Sequence, residues 1–198
     1  KANSSGSQLD LTNQTENFTI EVGAGTDNIK GGSGVDTITV NSAGQGNADT
    51  LDGGAGTSDV LQLSAGSHSF TTDAKLLNVE TIKGHASSAT TVDLTGQTEV
   101  LKVDGGSAGD TITGGNGNDI ITGGAGTDII TGGVGDDSLT GNTQNDTFNV
   151  DGGTDTITDL ATGDILVVTN SAKAQATGIS AFVATSGTKI VAGTAEFT

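Results

Sequence analysis

The 198-residue sequence contains no cysteine, proline, methionine, tryptophan or tyrosine. Without cysteine a disulfide scaffold is excluded, although the lack alone assigns no redox compartment. Without tryptophan or tyrosine, large amphipathic aromatic anchors cannot hold the chain together. Uninterrupted apolar runs never approach the roughly 18 residues that a membrane-spanning helix needs, so no membrane insertion is expected and the chain should be soluble. Positive charge is also scarce: 7 Lys and Arg stand against 24 Asp and Glu, a formal net charge of −17. Such a surface repels nucleic-acid phosphates and anionic membrane faces, which leaves cations as the natural partners and no role for nucleic acid. Around Lys1 there is no basic segment followed by an apolar run and a small-residue cleavage site, and the sequence reads as a fragment or a processed piece.

What is present is glycine, 33 residues of it, and a strict period. Asp110, Asp119, Asp128, Asp137, Asp146 and Asp155 fall nine residues apart, and Ile112, Ile121, Ile130, Leu139, Phe148 and Ile157 follow each Asp by two. The best copies, GGNGNDIIT, GGAGTDIIT and GGVGDDSLT, run from Gly114 to Thr140, and GGSGVDTIT at Gly31 to Thr39 is a fourth. All have the form Gly-Gly-x-Gly-x-Asp-x-U-x with U a large apolar residue. The copies at Val22 to Lys30, Gly105 to Thr113 and Gly141 to Asn149 depart from it at the glycines but keep the Asp and the apolar residue.

The period slips at Asp49, four residues late, and again at Asp59, one residue late, which predicts widened loops that interrupt any coupling between sites. From Gln62 to Val103 it disappears. There, Leu77 to Ile82 and Glu99 to Val103 read as strands without metal loops, with a short turn around Asp73 to Leu77. Glu16 to Val22 reads as an opening rung, and Ile157 to Val168 as the terminating end of the array. The tail, with Ile179, Phe182, Val183, Ile190 and Val191, is compatible with strands covering the last rung. The expected division is 1–21, opening strands or cap; 22–61, first repeat block; 62–104, non-repeat β segment; 105–158, second repeat block; 159–198, C-terminal cap.

Six residues of loop and three of strand make half a turn, so two repeats complete one coil and residues eighteen apart stack. Asp110 then lies over Asp128, and Asp119 over Asp137. Stacked carboxylates repel one another unless a divalent cation sits among them. Calcium suits such loops, because it takes six to eight oxygens in flexible geometry, whereas magnesium demands a tighter octahedron. Zinc or copper would want Cys or His, and only His68 and His85 exist, both reading as exposed loop residues. One buried apolar side chain per repeat contributes about 1.5–3 kcal/mol, against at least ~1 kcal/mol of backbone entropy for each of nine residues. Metal binding must supply much of the difference.

These nonapeptides resemble the RTX, or repeats-in-toxin, proteins exported by type I secretion. The resemblance implies an all-β fold, a right-handed parallel β-roll (a two-sheet solenoid) with several calcium ions in its loops, here interrupted by a non-calcium β segment and closed by a C-terminal β cap. It implies ligation by the repeat Asp and by carbonyls of the first four loop positions. In the first block the candidates are Asp27, Gly31, Gly32, Gly34, Asp36, Asp49, Gly53, Gly54, Gly56 and Asp59. The second block begins with Gly105, Gly106, Ala108, Asp110, Gly114, Gly115, Asn116, Gly117 and Asp119. It continues with Gly123, Gly124, Ala125, Gly126, Asp128, Gly132, Gly133, Val134, Gly135, Asp137, Asp146 and Asp155.

The order of Gly53 to Leu63, Asn78 to Ile82 and Gly105 onward is also similar to RTX-type bacterial S-layer proteins, and such segments recur in large adhesins. The expected function is therefore a structural calcium-binding region of a secreted or cell-surface bacterial protein. Its partners would be calcium and either copies of itself in a surface lattice or a cell-surface polysaccharide. The alternative is the calcium-dependent secretion and folding domain of an exported enzyme or toxin. No enzyme is expected within these residues: nucleophile, base and oxyanion site are not assembled, and Gly115-Asn116-Gly117 carries an Asp where a nucleotide phosphate would approach.

Overall fold

The computed structural model describes residues 6–44, 48–169, 172–176, 189–190 and 194–197. Short Thr- and Ile-rich segments alternate with glycine-rich loops, and each pair of segments closes one coil. The first three coils are β1 (Gln8–Asp10) with β2 (Thr19–Val22), β3 (Asn28–Lys30) with β4 (Thr37–Val40), and β5 (Thr50–Asp52) with β6 (Val60–Gln62). The fourth is larger: β7 (Gly66–Ser69), a 3-10 turn at Asp73–Lys75, β8 (Leu76–Leu77) and β9 (Thr81–Lys83). Then come β10 (Thr90–Asp93) with β11 (Lys102–Gly106), β12 (Thr111–Thr113) with β13 (Ile120–Ala125), and β14 (Ile129–Thr131) with β15 (Ser138–Thr143). The last described strands are β16 (Thr147–Val150) with β17 (Thr154–Ile157), β18 (Ile165–Val168) with β19 (Lys173–Ala176), and β20 (Lys189–Ile190) with β21 (Thr194–Phe197).

Every strand pairing among the described residues is parallel, as in a β-roll. One wall is a single ten-stranded sheet, β2-β4-β6-β9-β11-β13-β15-β17-β19-β21. The opposite wall is spliced from two sheets, β1-β3-β5-β8 and β7-β10-β12-β14-β16-β18-β20. The fourth coil belongs to both, because β8 pairs with β5 below it while β7 pairs with β10 above it. In the second block the register is the eighteen-residue one: Ile112 pairs with Ile130 and Ile121 with Leu139.

The middle residue of each triplet points inward, as strand alternation requires. Ile112, Ile121, Ile130, Leu139, Phe148 and Ile157 are all buried, and Ile20, Ile38, Leu61, Ile82 and Val103 extend the column along the ten-stranded wall. Their flanking Thr and Ser residues favour pleated, half-buried surfaces, which is why such short segments hold as strands.

Three expectations change. Leu77 to Ile82 is not one strand: Asn78 adopts φ 50° and turns the chain from β8 on one wall to β9 on the other. The apolar strand in the second segment starts only at Lys102, leaving Val100 exposed in the preceding loop. Ile165 to Val168 does not terminate the array, since β18 stacks on β16 and β19 to β21 continue both walls as further parallel rungs. Ile179, Phe182, Val183 and Val191 lie outside the described residues. Among the described residues no helix is long and apolar enough to cross a membrane.

Candidate metal site

The repeat aspartates stand at the two edges where loops join the walls. At one edge the backbone N–H of Ser7 donates to Asp27 Oδ1 at 2.6 Å and that of Asp27 to Asp49 Oδ1 at 2.8 Å. Higher on that edge the same step repeats from Thr90 to Asp110 at 2.6 Å, Asp110 to Asp128 at 2.7 Å, Asp128 to Asp146 at 2.8 Å and Asp146 to Asp164 at 2.9 Å. At the opposite edge Phe18 donates to Asp36 at 2.8 Å, Asp36 to Asp59 at 2.7 Å and Asp59 to Glu80 Oε2 at 2.8 Å. There Leu101 donates to Asp119 at 2.8 Å, Asp119 to Asp137 at 2.7 Å and Asp137 to Asp155 at 3.1 Å. All ten predicted aspartates thus enter two ladders, each carboxylate receiving the N–H of the coil below.

The glycine triplets at Gly31, Gly53, Gly105, Gly114, Gly123 and Gly132 form the loops between these aspartates. Their role is spatial as well as conformational. A Cβ at Gly105 would lie 2.7 Å from Asp110 Oδ2, and one at Gly56 2.7 Å from Asp59 Oδ2, so side chains there would fill the ground that the second carboxylate oxygen faces. Gly124 and Gly133, with φ of 115° and 104°, take a backbone conformation that other residues rarely adopt. Asn116, Ala108, Ala125 and Val134 occupy the non-glycine places of the loops; Ala108, Ala125 and Val134 offer a cation only their backbone carbonyls.

The second oxygens decide what the ladders lack. Those of Asp27, Asp49, Asp59, Asp110, Asp128, Asp137 and Asp155 are buried with no hydrogen-bond donor. Buried charge without a partner is strongly unfavourable. Burial, reinforced by neighbouring carboxylates, accordingly pushes Asp110, Asp137 and Asp146 up to about 6 and Asp155 up to about 8. Asp49, Asp59, Asp119 and Asp128 are raised chiefly by burial too. Seven orphaned carboxylate oxygens beside glycine-lined loops fit a hard, oxygen-seeking cation. Among the described residues, nowhere do three or more His, Cys, Asp or Glu side chains gather into a metal-binding group, so carboxylates alone would not complete a coordination sphere.

The model of the RTX calcium-binding nonapeptide repeat matches residues 19–42, 43–66, 104–139 and 126–157, together just over half of the chain. The chain belongs to this family. No significant match emerges among curated proteins or solved structures. The RTX repeats imply calcium binding, and the parallel roll is a structural, metal-binding architecture.

Three corrections concern individual residues. The late arrivals of Asp49 and Asp59 do not interrupt the ladders: both carboxylates stay in register with Asp27 and Asp36. Interruption falls instead at Thr90 and Leu101, which occupy ladder places below Asp110 and Asp119 without a carboxylate. His68 is not an exposed loop residue; it lies buried on β7 beneath Val92, its Nε2 3.0 Å from the Ser64 carbonyl oxygen and its Nδ1 without a partner. Burial lowers its pKa below the usual histidine value.

Sequence reasoning missed two ladder members. Asp164 continues the nine-residue series one step past Asp155, and its Oδ2 accepts the N–H of Ala161 at 2.7 Å, closing the ladder with both oxygens occupied. Glu80 breaks the period, but Glu80-Thr81-Ile82 repeats the acid-Thr-Ile triplet of Asp36-Thr37-Ile38 and Asp110-Thr111-Ile112.

Proposed function

We propose that this chain is the calcium-binding β-roll region of a secreted bacterial surface protein of S-layer or adhesin type, a structural element that folds in extracellular calcium. The row of buried aspartate oxygens without donors carries the reading, because a divalent cation shared between neighbouring loops offsets their charge without protonation. The ligands would be the second carboxylate oxygens of the repeat aspartates, Asp27, Asp36, Asp49, Asp59, Asp110, Asp119, Asp128, Asp137, Asp146 and Asp155, together with carbonyls of the glycine-rich loop positions between them. When bound, calcium supplies the positive charge that lets stacked carboxylates approach. This chain's residues do the rest: glycines clear the space, N–H groups of the coil below orient one oxygen of each carboxylate, the Gly32 and Gly115 N–H groups also reach the second oxygens of Asp36 and Asp119, and Ile, Leu and Phe close the core.

A low-calcium cytoplasm and a calcium-rich exterior would keep such a chain unfolded before export and folded after it. The long stack of parallel rungs supports an architectural role, and repetitive outward faces such as Thr111, Thr113, Thr131 and Thr147 suit contacts that repeat along a surface array. Far-ultraviolet circular dichroism tests the folding step. A chelator is expected to abolish most of the β signal, calcium to restore it, and magnesium to restore far less. A β spectrum unaffected by chelation at low salt would overturn the folding-coupled reading.

A further inference from the structure

In the repeats, the first loop glycine faces a carbonyl oxygen of the next coil and the carboxylate of its own loop. A Cβ at Gly31 would collide with the Gly53 carbonyl oxygen and lie 2.6 Å from Asp36 Oδ2. One at Gly114 would collide with the Gly132 carbonyl oxygen and lie 2.9 Å from Asp119 Oδ2, and one at Gly105 meets Gly123 and Asp110 in the same way. Each such place pairs one carbonyl with one carboxylate across two coils. Gly53 repeats the arrangement, but the next coil holds no nonapeptide. Its Cβ would collide with the Asn78 carbonyl oxygen and lie 2.8 Å from Asp59 Oδ2.

The chain above Gly53 thus mimics a repeat with three residues in place of a six-residue loop. Asn78 stands where the first glycine of a repeat would stand, in a left-handed conformation of φ 50°, and its Nδ2–H donates to Asp52 Oδ1 at 2.7 Å. Glu80 stands where the repeat Asp would stand. Its Oε2 accepts the Asp59 N–H at 2.8 Å and its carbonyl accepts the Lys102 N–H at 3.0 Å, as the Asp128 carboxylate and carbonyl accept Asp110 and Thr147. The longer glutamate arm spans the gap left by the shortened loop. Asp59 Oδ2, on a residue only 1% exposed, is buried between these groups with no donor.

The geometry points to a calcium site outside the repeat pattern, between the Gly53–Asp59 loop and the Asn78–Glu80 turn, with Asp59 Oδ2, the Asn78 carbonyl and the Glu80 carboxylate as ligands. It rests on the calcium reading above and adds to it a site closed by residues that belong to no repeat. All three donors are oxygens, two of them anionic, the set calcium prefers over softer metals. The site also fixes where the first block ends, because the next ladder place, Leu101, offers no carboxylate.

Equilibrium dialysis of the full-length chain against calcium, counting bound ions, tests it. Glu80→Gln retains an oxygen to accept the Asp59 N–H and removes only the charge, so the variant is expected to keep its β spectrum in calcium and bind one ion fewer than wild type. Glu21→Gln, the same change on the outer face of β2, is expected to leave the count unchanged. An unchanged count and affinity in Glu80→Gln overturns the site while leaving the repeat sites standing. A wild-type chain that binds no calcium overturns the underlying reading instead. Should Glu80→Gln fail to fold, Glu80→Asp decides: weakened binding of a single ion upholds the site, and unaltered binding of every ion overturns it.

Discussion

Asp128 shows what one ladder carboxylate must reconcile. Its Oδ1 accepts the Asp110 N–H at 2.7 Å, its own N–H donates to Asp146 at 2.8 Å, and its Oδ2 is buried without a donor. Asp128→Asn keeps an acceptor for Asp110 and removes the charge. In chelator the variant should therefore retain more β structure than wild type, while its calcium affinity falls. Asp128→Ala leaves the buried Asp110 N–H unpaired as well, at a cost of about 1–3 kcal/mol, so it should be weaker than Asp128→Asn with or without calcium. Circular dichroism in chelator and urea titration in calcium check this, and equal β signal in the first with identical midpoints in the second would refute it.

Protonation addresses the same oxygens. With Asp110, Asp137 and Asp146 raised to about 6 and Asp155 to about 8 by burial first and neighbouring carboxylates second, the folded chain binds more protons than the unfolded chain above the ordinary aspartate value. The metal-free fold should then gain stability as pH falls from about 8 toward about 4, and lose it as pH rises through the same window. Calcium affinity should decline on acidification, since protons and cation compete for one set of oxygens. Circular dichroism of metal-free protein at pH 8 and pH 5 reads the sign: more β structure at pH 8 would contradict it.

Within a strand, adjacent positions do opposite work. In β14, Ile130 is fully buried between the walls while Ile129, 44% exposed, faces outward. Ile130→Ala should cost about 2–5 kcal/mol of stability in saturating calcium, and Ile129→Ala less than about 0.5 kcal/mol. Equal shifts in urea midpoint would mean that the thin core contributes little. The alternation behind this was legible in the sequence because each Thr-Ile-Thr triplet carries its own phase, and the nine-residue spacing placed the aspartates from Asp110 to Asp155 alternately on the two edges. The fourth coil was not legible in the same way. Leu77 and Val79 alternate like one strand, and only the left-handed Asn78 reveals that they serve different walls. Ser67-His68-Ser69 has no apolar marker, so nothing local announces that His68 takes a core position that Val92 and Ile112 hold in the following coils. Loop length misled in the other direction: an insertion shifts the count along the chain but not the place of the carboxylate in its ladder, because the flanking strands stay paired.

Taken whole, the roll carries two ladder systems, with Asp27, Asp36, Asp49, Asp59 and Glu80 below and Asp110 to Asp164 above, separated by the coil of Thr90 and Leu101. In a stacked array each filled site orders part of its neighbour, and such coupling accumulates only over uninterrupted rungs. Calorimetric titration with calcium should resolve two cooperative groups, the upper the tighter. Asp128→Ala should disturb only the upper group and Asp59→Ala only the lower. A single transition affected equally by both substitutions would show that coupling crosses the gap.

The spliced wall bears on how the molecule transmits load. A pull along the roll axis passes through the ten-stranded sheet strand by strand without a break. On the opposite face it must step sideways from β8 to β7 through the covalent segment around the Asp73–Lys75 turn, with isolated bonds such as Gly44 N–H to the Ser67 carbonyl to share it. Shear or torsion applied to the two ends therefore concentrates at the fourth coil, which acts as the built-in compliance between two continuously laddered segments.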